Sequence, residues 1–372
     1  MHLKRQIKPL IYSSFGYVPD FKGPFFAIMK NNIFRRDFIK KAGLAGLGLG
    51  VTFPSILPAQ STVSSAGNKR IGIIGLDTSH STNIMQLLNG DQPFAGAGGY
   101  TVVAAYPYGS RDIKSSYERI PAYIKEAQAL DVEVVDSIAA LLKKVDVVLL
   151  ETNDGKPRLA QALEVIGAGK KLFIDKPVAA AFKDVVAIFK AAAKNKVPIF
   201  SSSSLRYTPQ MEALLSGEKI GKITGVDTYS PAPLQPGHID LAWYGLHGVE
   251  PLFALMGIGC RELRRVYTAG TDMVVGKWKD GRVGTFRGMR TGATDYGGTA
   301  FGEKGIAPVG SFAGYEGLLT QIIRFFDSGV SPVPAGETLE IYAFMEAADW
   351  SRARGGAAVT LQEVYDRYRL HA

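Results

Sequence analysis

The residues best suited to chemistry in this chain are Asp175-Lys176-Pro177, which directly follow the apolar run Lys171–Ile174. This run predicts a buried strand, and ligands of open α/β sheets bind outside the carboxyl ends of such strands. Pro177 fixes its own φ and restricts the backbone of Lys176, which defines where the ammonium group points. A lysine at that place can stabilise a developing alkoxide on a bound substrate. The alternative is a surface lysine at the end of a strand.

The elements that must position this lysine alternate between strands and helices from Lys69 to about residue 200. The predicted strands are Arg70–Gly75, Thr101–Tyr106, Val132–Val135, Val145–Glu151, Lys171–Ile174 and Val197–Phe200. The predicted helices are Thr82–Leu88, Ile138–Lys144, Lys156–Ala168 and Phe182–Asn195. Short β-branched runs between amphipathic helices are typical of a parallel, doubly wound sheet.

The pattern changes after Pro209. The predicted strands here are Ile223–Tyr229, Met273–Lys279 and Val283–Arg287, and the predicted helices are Val249–Met256, Gly317–Phe326 and Glu337–Arg354. Asp280-Gly281 separates two of these strands and predicts a hairpin. The fold class expected is α/β, in which the parallel sheet is followed by an α+β domain with a mostly antiparallel open sheet.

The turn after the first strand reads Gly75-Leu-Asp77-Thr78-Ser79-His80. A Rossmann turn that binds a dinucleotide needs Gly-x-Gly-x-x-Gly, because the second glycine lets the pyrophosphate approach the backbone. Gly75 supplies the first glycine, whereas Asp77 and His80 replace the other two. The carboxylate of Asp77 would repel a pyrophosphate unless it turns away to cap the helix. Thr78, Ser79 and the helix N-terminus can still bind phosphate, and the alternative is a plain capped helix without nucleotide.

The second strand ends without the acidic residue that binds the ribose hydroxyl in NAD-specific sites. Ser110 and Arg111 follow it instead and could receive a 2′-phosphate, which would favour NADP. The alternative is a loop arginine that faces solvent.

Four segments together resemble the glucose–fructose oxidoreductase / inositol dehydrogenase / MocA (Gfo/Idh/MocA) family of NAD(P)-dependent oxidoreductases. The segment that ends in Asp175-Lys176-Pro177 is similar to the family signature Gly-Lys-x-Val-x-x-Glu-Lys-Pro, with Asp175 in place of glutamate. Thr152-Asn153-Asp154 stand where the family has its Thr-Pro-Asn turn near the nicotinamide ribose.

The other two segments lie further along the chain. Arg206 stands where the family has an arginine in the segment that follows a strand. The stretch from Trp243 to Glu250 resembles Asp-x-Gly-x-His-x-x-Asp, with Tyr244 near the first acid, His247 at the histidine and Glu250 at the last acid.

The resemblance implies hydride transfer between a carbohydrate or polyol and NAD or NADP. The family's lysine, here Lys176, orients the substrate hydroxyl and the nicotinamide, and the family's histidine, here His247, accepts the hydroxyl proton. Histidine suits this task because it titrates near neutrality. The family's first acid, which would contact the sugar or the catalytic histidine, is absent and Tyr244 stands nearby instead, so no particular sugar or inositol is assigned. The residues implied in cofactor binding are Gly75, Asp77, Thr78, Ser79, His80, Ser110, Arg111, Thr152, Asn153, Asp154, Asp175, Lys176, Pro177 and Arg206.

The domain boundaries expected on this basis are a leader at 1–66, a Rossmann nucleotide-binding domain at 67–202, and a substrate and oligomerisation domain at 203–372. Proteins of this family pair through their antiparallel sheets, so a homodimer or homotetramer is expected. Two alternatives stay open. One is a glycoside hydrolase of the same family with tightly held NAD, and the other is a sugar-binding protein without catalysis.

The leader holds paired arginines, Arg35-Arg36, ahead of a weakly apolar, Gly-rich stretch and small residues near Ala59 and Ala66. It resembles a twin-arginine export signal, with Met29 as the expected start and cleavage between about residues 59 and 66. This implies the twin-arginine export machinery as a partner and the periplasm as the location, with membrane tethering if the leader stays uncleaved. The alternatives are a membrane anchor or an incidental arginine pair.

Net charge and cysteine content argue against nucleic-acid binding, disulfide bonds and cysteine metal sites. The formal net charge is +9, but residues 1–66 hold nine Lys/Arg and two Asp/Glu, a net +7, so nucleic acid is not an expected partner. Cys260, the single cysteine, excludes an internal disulfide and a multi-cysteine metal site. No metal site is predicted.

Overall fold

A computed structural model describes residues 69–370, which form two sheets with their helices. The first sheet has six strands in the order β3-β2-β1-β4-β5-β6, and every neighbouring pair is parallel. Its strands are β1 Lys69–Ile74, β2 Tyr100–Tyr106, β3 Glu133–Val134, β4 Val147–Leu150, β5 Lys171–Ile174 and β6 Ile199–Phe200.

The helices that cover this sheet follow from local sequence signals. They are α1 Ser79–Asn89, α2 Lys114–Tyr117, α3 Ile120–Ala129, α4 Ile138–Leu142, α5 Arg158–Gly167 and α6 Phe182–Asn195. The side chains of Thr78 and Ser137 cap α1 and α4 by accepting backbone N–H groups. All four residues of β4 are buried, as expected for a strand with helices on both faces.

The second sheet has seven strands in the order β12-β11-β7-β10-β9-β8-β13. They are β7 Ile223–Pro231, β8 Cys260–Tyr267, β9 Thr271–Trp278, β10 Val283–Met289, β11 Gly297–Gly302, β12 Gly305–Pro308 and β13 Val359–Thr360. Only the β7–β10 pair is parallel among these described strands. One face of the sheet is packed and the other is open, which gives the alternating burial of β8 to β10.

The helices after the first sheet are α7 Pro209–Leu215, α8 Leu246–Met256, α9 Glu316–Ser328, α10 Ala335–Ala353 and α11 Leu361–Arg367. Helices α8, α10 and α11 pack against the second sheet. Helix α8 is buried almost along its whole length, against β7 and β10. Its first turn lies at the junction of the two domains, which places His247 there.

Helix α9 belongs to the core of the first sheet although it lies far along the chain. Leu319, Ile322 and Phe325 are buried in the same apolar cluster as Ile73 of β1 and Phe200 of β6. The boundary expected after residue 202 stays a prediction, but residues beyond it complete the first hydrophobic core.

The fold class is the one expected, with a parallel sheet and a mostly antiparallel second sheet. Predicted β5 and α6 match the structure to the residue, and Asp280-Gly281 does connect β9 and β10. The sequence analysis did not identify α2, α3, α7, α11, β8, β11, β12 or β13. None of the helices in the described part of the chain combines the length and apolarity that a bilayer crossing requires. The leader lies outside the described residues.

Candidate active site

Strand register brings the candidate residues to one edge of the first sheet. Ile74 pairs with Leu150, and Leu150 pairs with Ile174, so the three strands end side by side. The residues that follow them, Glu151 and Asp175 among them, therefore lie next to each other. Backbone hydrogen bonds fix this edge, since Glu151 N donates to Ile74 O at 2.8 Å and Asp175 N donates to Leu150 O at 2.9 Å.

Lys176 is buried at this edge rather than exposed at the surface. Its Nζ lies 4.6 Å from the ring centroid of Tyr244, which the second domain contributes. Burial lowers the pKa of Lys176, although Asp175 beside it acts in the opposite direction. The Lys176–Pro177 peptide bond is cis. The ammonium group of Lys176 therefore faces the ring of Tyr244 across the domain junction.

His247 stands in the same junction. Its ring lies 5.7 Å from the ring of Tyr244 and 5.5 Å from the ring of Tyr296, centroid to centroid. Its Nδ1 is 2.8 Å from Ser203 Oγ, at the end of the first domain. Burial, and then the charge of Lys176, hold the pKa of His247 well below 6.5. The imidazole is consequently neutral near pH 7 and can accept a proton.

Three tyrosines line this space. Besides Tyr244, they are Tyr296, which follows β10, and Tyr315, which precedes α9. The ring of Tyr315 lies 5.1 Å from the ring of His80. Burial raises the pKa of Tyr296 to about 12, so its hydroxyl stays protonated and able to donate a hydrogen bond. The sequence analysis did not identify Tyr296, Tyr315 or Ser203, because no motif marks them.

The turn after β1 keeps one feature of the dinucleotide fingerprint. Gly75 has a φ of +98°, and a Cβ there would lie 2.5 Å from the backbone nitrogen of Thr152. A glycine is therefore required for the close approach of the two turns. Thr78, not Asp77, caps α1 by accepting from His80 N, and Ser79 is exposed at the helix start.

Asp77 points beneath the turn. Its carboxylate is fully buried and accepts hydrogen bonds from Asn153 N at 2.9 Å and Ser110 N at 3.4 Å. Burial raises the pKa of Asp77, and these two donors act against that rise. Because the carboxylate is turned away from the start of α1, it leaves the helix N-terminus free for an anion. The turn thus fits a dinucleotide pyrophosphate despite the missing glycines.

The loop after β2 fits a nucleotide least well. Ser110 Oγ donates to Asp154 Oδ2 at 2.8 Å and accepts from Ile113 N at 3.1 Å. Asn153 Nδ2 donates to Ser116 Oγ at 2.8 Å. The loops after β2 and β4 are therefore fastened to each other, and the hydroxyl of Ser110 is already engaged.

Two arginines have distinct surroundings. Arg111 is exposed and open to a phosphate. Arg206 is buried instead, with its Nε 2.9 Å from Glu250 Oε2 and its Nη2 2.6 Å from Glu337 Oε1. These carboxylates raise the pKa of Arg206 against the effect of burial. Arg206 therefore ties α8 and α10 to the end of the first domain.

His80 is held over the edge of the first sheet. Its Nδ1 lies 2.7 Å from Asp175 Oδ2. Burial would raise the pKa of Asp175, but His80 and Lys176 together lower it below its usual range. Glu151 lies beside this pair, and burial, reinforced by the charge of Asp175, raises its pKa well above the usual range. The sequence analysis did not assign a role to Glu151.

One family model matches this chain. Residues 69–203 match the GFO_IDH_MocA model, described as an oxidoreductase family with an NAD-binding Rossmann fold. No curated protein matches the chain.

Solved structures share the fold over both domains. Myo-inositol 2-dehydrogenase from Lactobacillus plantarum has a TM-score of 0.65 at 16% identity, covering 79% of this chain and 99% of that chain. Scyllo-inositol dehydrogenase from Lactobacillus casei, with bound NAD(H) and scyllo-inositol, has a TM-score of 0.65 at 14% identity, covering 80% and 100%. An oxidoreductase from Agrobacterium radiobacter, in complex with NAD+, L-tartaric acid and magnesium, has a TM-score of 0.62 at 14% identity, covering 80% and 100%. At these identities the similarity establishes the fold.

Proposed function

We propose that this chain transfers hydride between a carbohydrate or polyol hydroxyl and a tightly bound nicotinamide cofactor. The match of residues 69–203 to the family model of oxidoreductases with an NAD-binding Rossmann fold supports this proposal. One observation carries the proposal: Lys176 and His247 converge on the ring of Tyr244, at 4.6 Å and 5.7 Å from its centroid. A cationic donor and a neutral base are the two groups that oxidation of an alcohol needs. The inositols bound or named in two similar structures support a polyol as substrate.

The residues that would hold the cofactor follow the edge of the first sheet. Gly75 and the start of α1 would bind the pyrophosphate, and Thr152 and Lys176 would lie near the nicotinamide. When bound, the nicotinamide accepts or returns the hydride. Arg111 is the exposed cation closest in sequence to the end of β2, and it would meet a 2′-phosphate if NADP is the cofactor.

The protein's own groups would handle the proton. In the tautomer that donates Nδ1–H to Ser203 Oγ, His247 keeps the lone pair of Nε2 free to accept the substrate proton. Lys176 would stabilise the developing alkoxide, since its ammonium group is desolvated and held against Tyr244. Tyr296, which stacks edge-on against His247, would limit the entry of water.

Lys176→Met tests this function directly. We expect the variant still to bind NAD or NADP and to lose about 100-fold or more in kcat for the best polyol. Cofactor affinity is measured by calorimetry, and turnover is followed by the fluorescence of reduced nicotinamide. The control is Lys183→Met, an exposed lysine on α6. A Lys176→Met enzyme with full kcat would refute the proposed role of the lysine.

One structural feature favours a second candidate, a sugar-binding protein without nucleotide. The loops after β2 and β4 are hydrogen-bonded to each other above the buried Asp77. If neither NAD nor NADP binds to the purified protein or on titration, while a sugar does, this candidate replaces the first. Release of the aglycone from a glycoside without net change of the cofactor would instead identify the hydrolase.

We also propose that the protein is exported to the periplasm by the twin-arginine route. Arg35-Arg36 and the weakly apolar stretch after them support this proposal. Replacement of both arginines by lysine should retain the protein in the cytoplasm in a cell-fractionation experiment, whereas equal distribution of both forms would contradict it.

Self-association through the open face of the second sheet is a further part of the proposal. Val266, Val275 and Val283 are 66%, 42% and 48% exposed and lie on that face. Sedimentation of the wild type and of Val275→Lys tests it, because a charge in a buried interface should shift a dimer or tetramer toward the monomer.

A further inference from the structure

Glu151 is the buried group for which the hydride-transfer site gives no role. It is 0% exposed, and among residues 69–370 neither of its side-chain oxygens has a hydrogen-bond partner. Burial of a carboxyl group without partners is costly. A buried polar group left unpaired in a native fold calls for a specific reason, of which a bound water or ion is one.

The neighbours of Glu151 are metal-ligand types. His80, Glu151 and Asp175 each offer one ligand atom, and these atoms all lie within 4.8 Å of one another. They come from the start of α1, the end of β4 and the end of β5, so three separate elements of the first sheet point them at one spot. A cation about 2.1 Å from each atom would fit between them with small side-chain adjustments.

The buried arginine nearby, Arg158, does not donate a hydrogen bond to Glu151. Arg158 is fully buried, but its guanidinium N–H groups donate to the backbone carbonyl oxygens of Thr152, Asp175 and Lys176. These bonds fix the two strand ends and leave the carboxyl group of Glu151 without a donor from Arg158.

The buried Lys176 does not donate a hydrogen bond to Glu151 either. The Nζ of Lys176 lies over the ring of Tyr244, and the described residues show no hydrogen bond from it to Glu151. The carboxyl group of Glu151 is therefore buried without a hydrogen bond from either of the two buried cations beside it.

We propose that His80, Glu151 and Asp175 bind one divalent transition-metal cation, Zn²⁺ or Mn²⁺. One imidazole and two carboxylates suit these borderline and hard ions, and the three protein ligands leave coordination positions for water or substrate oxygen. The cation replaces the proton between His80 Nδ1 and Asp175 Oδ2. The His80 side chain is 17% exposed and gives the cation a path from solvent. The inference does not rest on the proposed hydride transfer.

The test is a calorimetric titration of ZnCl₂, and separately of MnCl₂, into the full chain after removal of metal with a chelator and without any nucleotide. We expect saturable binding of one equivalent to the wild type and at least a tenfold weaker affinity for Glu151→Gln. The matched control is Glu340→Gln, which changes another buried carboxyl group in the second domain and should bind as wild type does.

Two results would overturn the proposal: no saturable binding of either ion to the wild type, or equal affinity of the wild type and Glu151→Gln. Circular dichroism establishes that each variant is folded. If Glu151→Gln does not fold, His80→Gln provides the same comparison, because it removes a ligand from the partly exposed rim of the cluster.

Discussion

At the residue scale, the low pKa of His247 decides in which pH range the protein can act as a base. Burial disfavours the imidazolium, and the ammonium group of Lys176 adds to this effect. Nδ1 of His247 is hydrogen-bonded to Ser203 Oγ. The fold therefore sets both the orientation of the imidazole and its protonation. The family motif contains only the histidine, whereas Lys176 and Ser203, which set its protonation and orientation, come from two other segments of the chain.

We predict that kcat/KM for alcohol oxidation stays constant as the pH is lowered from about 8 to 6.5 and falls only below that range. The reason is the lowered pKa of His247, which keeps the imidazole neutral, and therefore active as a base, at pH values where an exposed histidine is already half protonated. The measurement is a pH–rate profile. An acidic limb with its midpoint at or above pH 6.5 would contradict the burial of this residue.

At the element scale, the closeness of two turns depends on one glycine. Gly75→Ala should lower the free energy of unfolding by about 3 kcal/mol, because φ is +98° and the new Cβ would collide with the backbone of Thr152. Gly99→Ala is the control, since φ there is +84° but nothing lies within 4 Å of the added Cβ. Denaturant unfolding of both variants separates the collision from the cost of positive φ alone. Equal losses would mean that the contact with Thr152 is not tight.

Helix α10 contains a carboxyl group whose burial makes stability depend on pH. Glu340 accepts hydrogen bonds from Gly259 N and Cys260 N, and burial raises its pKa from 4.5 to about 7. A raised pKa means that the folded state binds more protons than the unfolded state between these values. Stability contributed by this group is therefore present below pH 4.5 and is lost as the pH rises through about 7.

Glu340→Gln keeps the acceptor oxygen and removes the ionisation. We expect the variant to gain stability relative to wild type at pH 8 compared with pH 5, by about 3 kcal/mol or less. Urea unfolding midpoints at the two pH values measure this difference. Parallel pH dependences of the two proteins would show that burial does not raise the pKa of Glu340.

At the scale of the whole molecule, α9 makes the stability of the first sheet depend on residues beyond 300. Phe325 of α9 is fully buried, and its ring lies 4.8 Å from the ring of Phe200 of β6. The nucleotide-binding sheet thus reaches its packed state only when the distant helix is in place.

Phe325→Ala should cost about 3–5 kcal/mol in unfolding free energy, the usual loss for an aromatic side chain removed from a core. Phe312→Ala, at a residue that is 47% exposed, should cost less than about 1 kcal/mol. Chemical denaturation provides both values. A small loss for Phe325→Ala would mean that α9 contributes little to the first core.

The parts of this protein that the sequence by itself determined are local ones. Apolar runs bounded by glycine and proline fix strands such as β5, and the periodicity of α6 fixes that helix, because each pattern is complete within a few neighbouring residues. The position of Lys176 follows in the same way, since it directly succeeds a buried strand.

Only the tertiary structure decided which side chains meet. Glu151 and Asp175 face each other because β4 and β5 pair in one register, and His80 reaches them from a third element. Ser203 meets His247 where the two domains dock. Tyr296 meets His247 within the second domain, from a segment almost fifty residues further along the chain. Contacts between residues this far apart in sequence leave no local pattern, since they are selected by the burial and packing of the whole fold rather than by neighbouring residues.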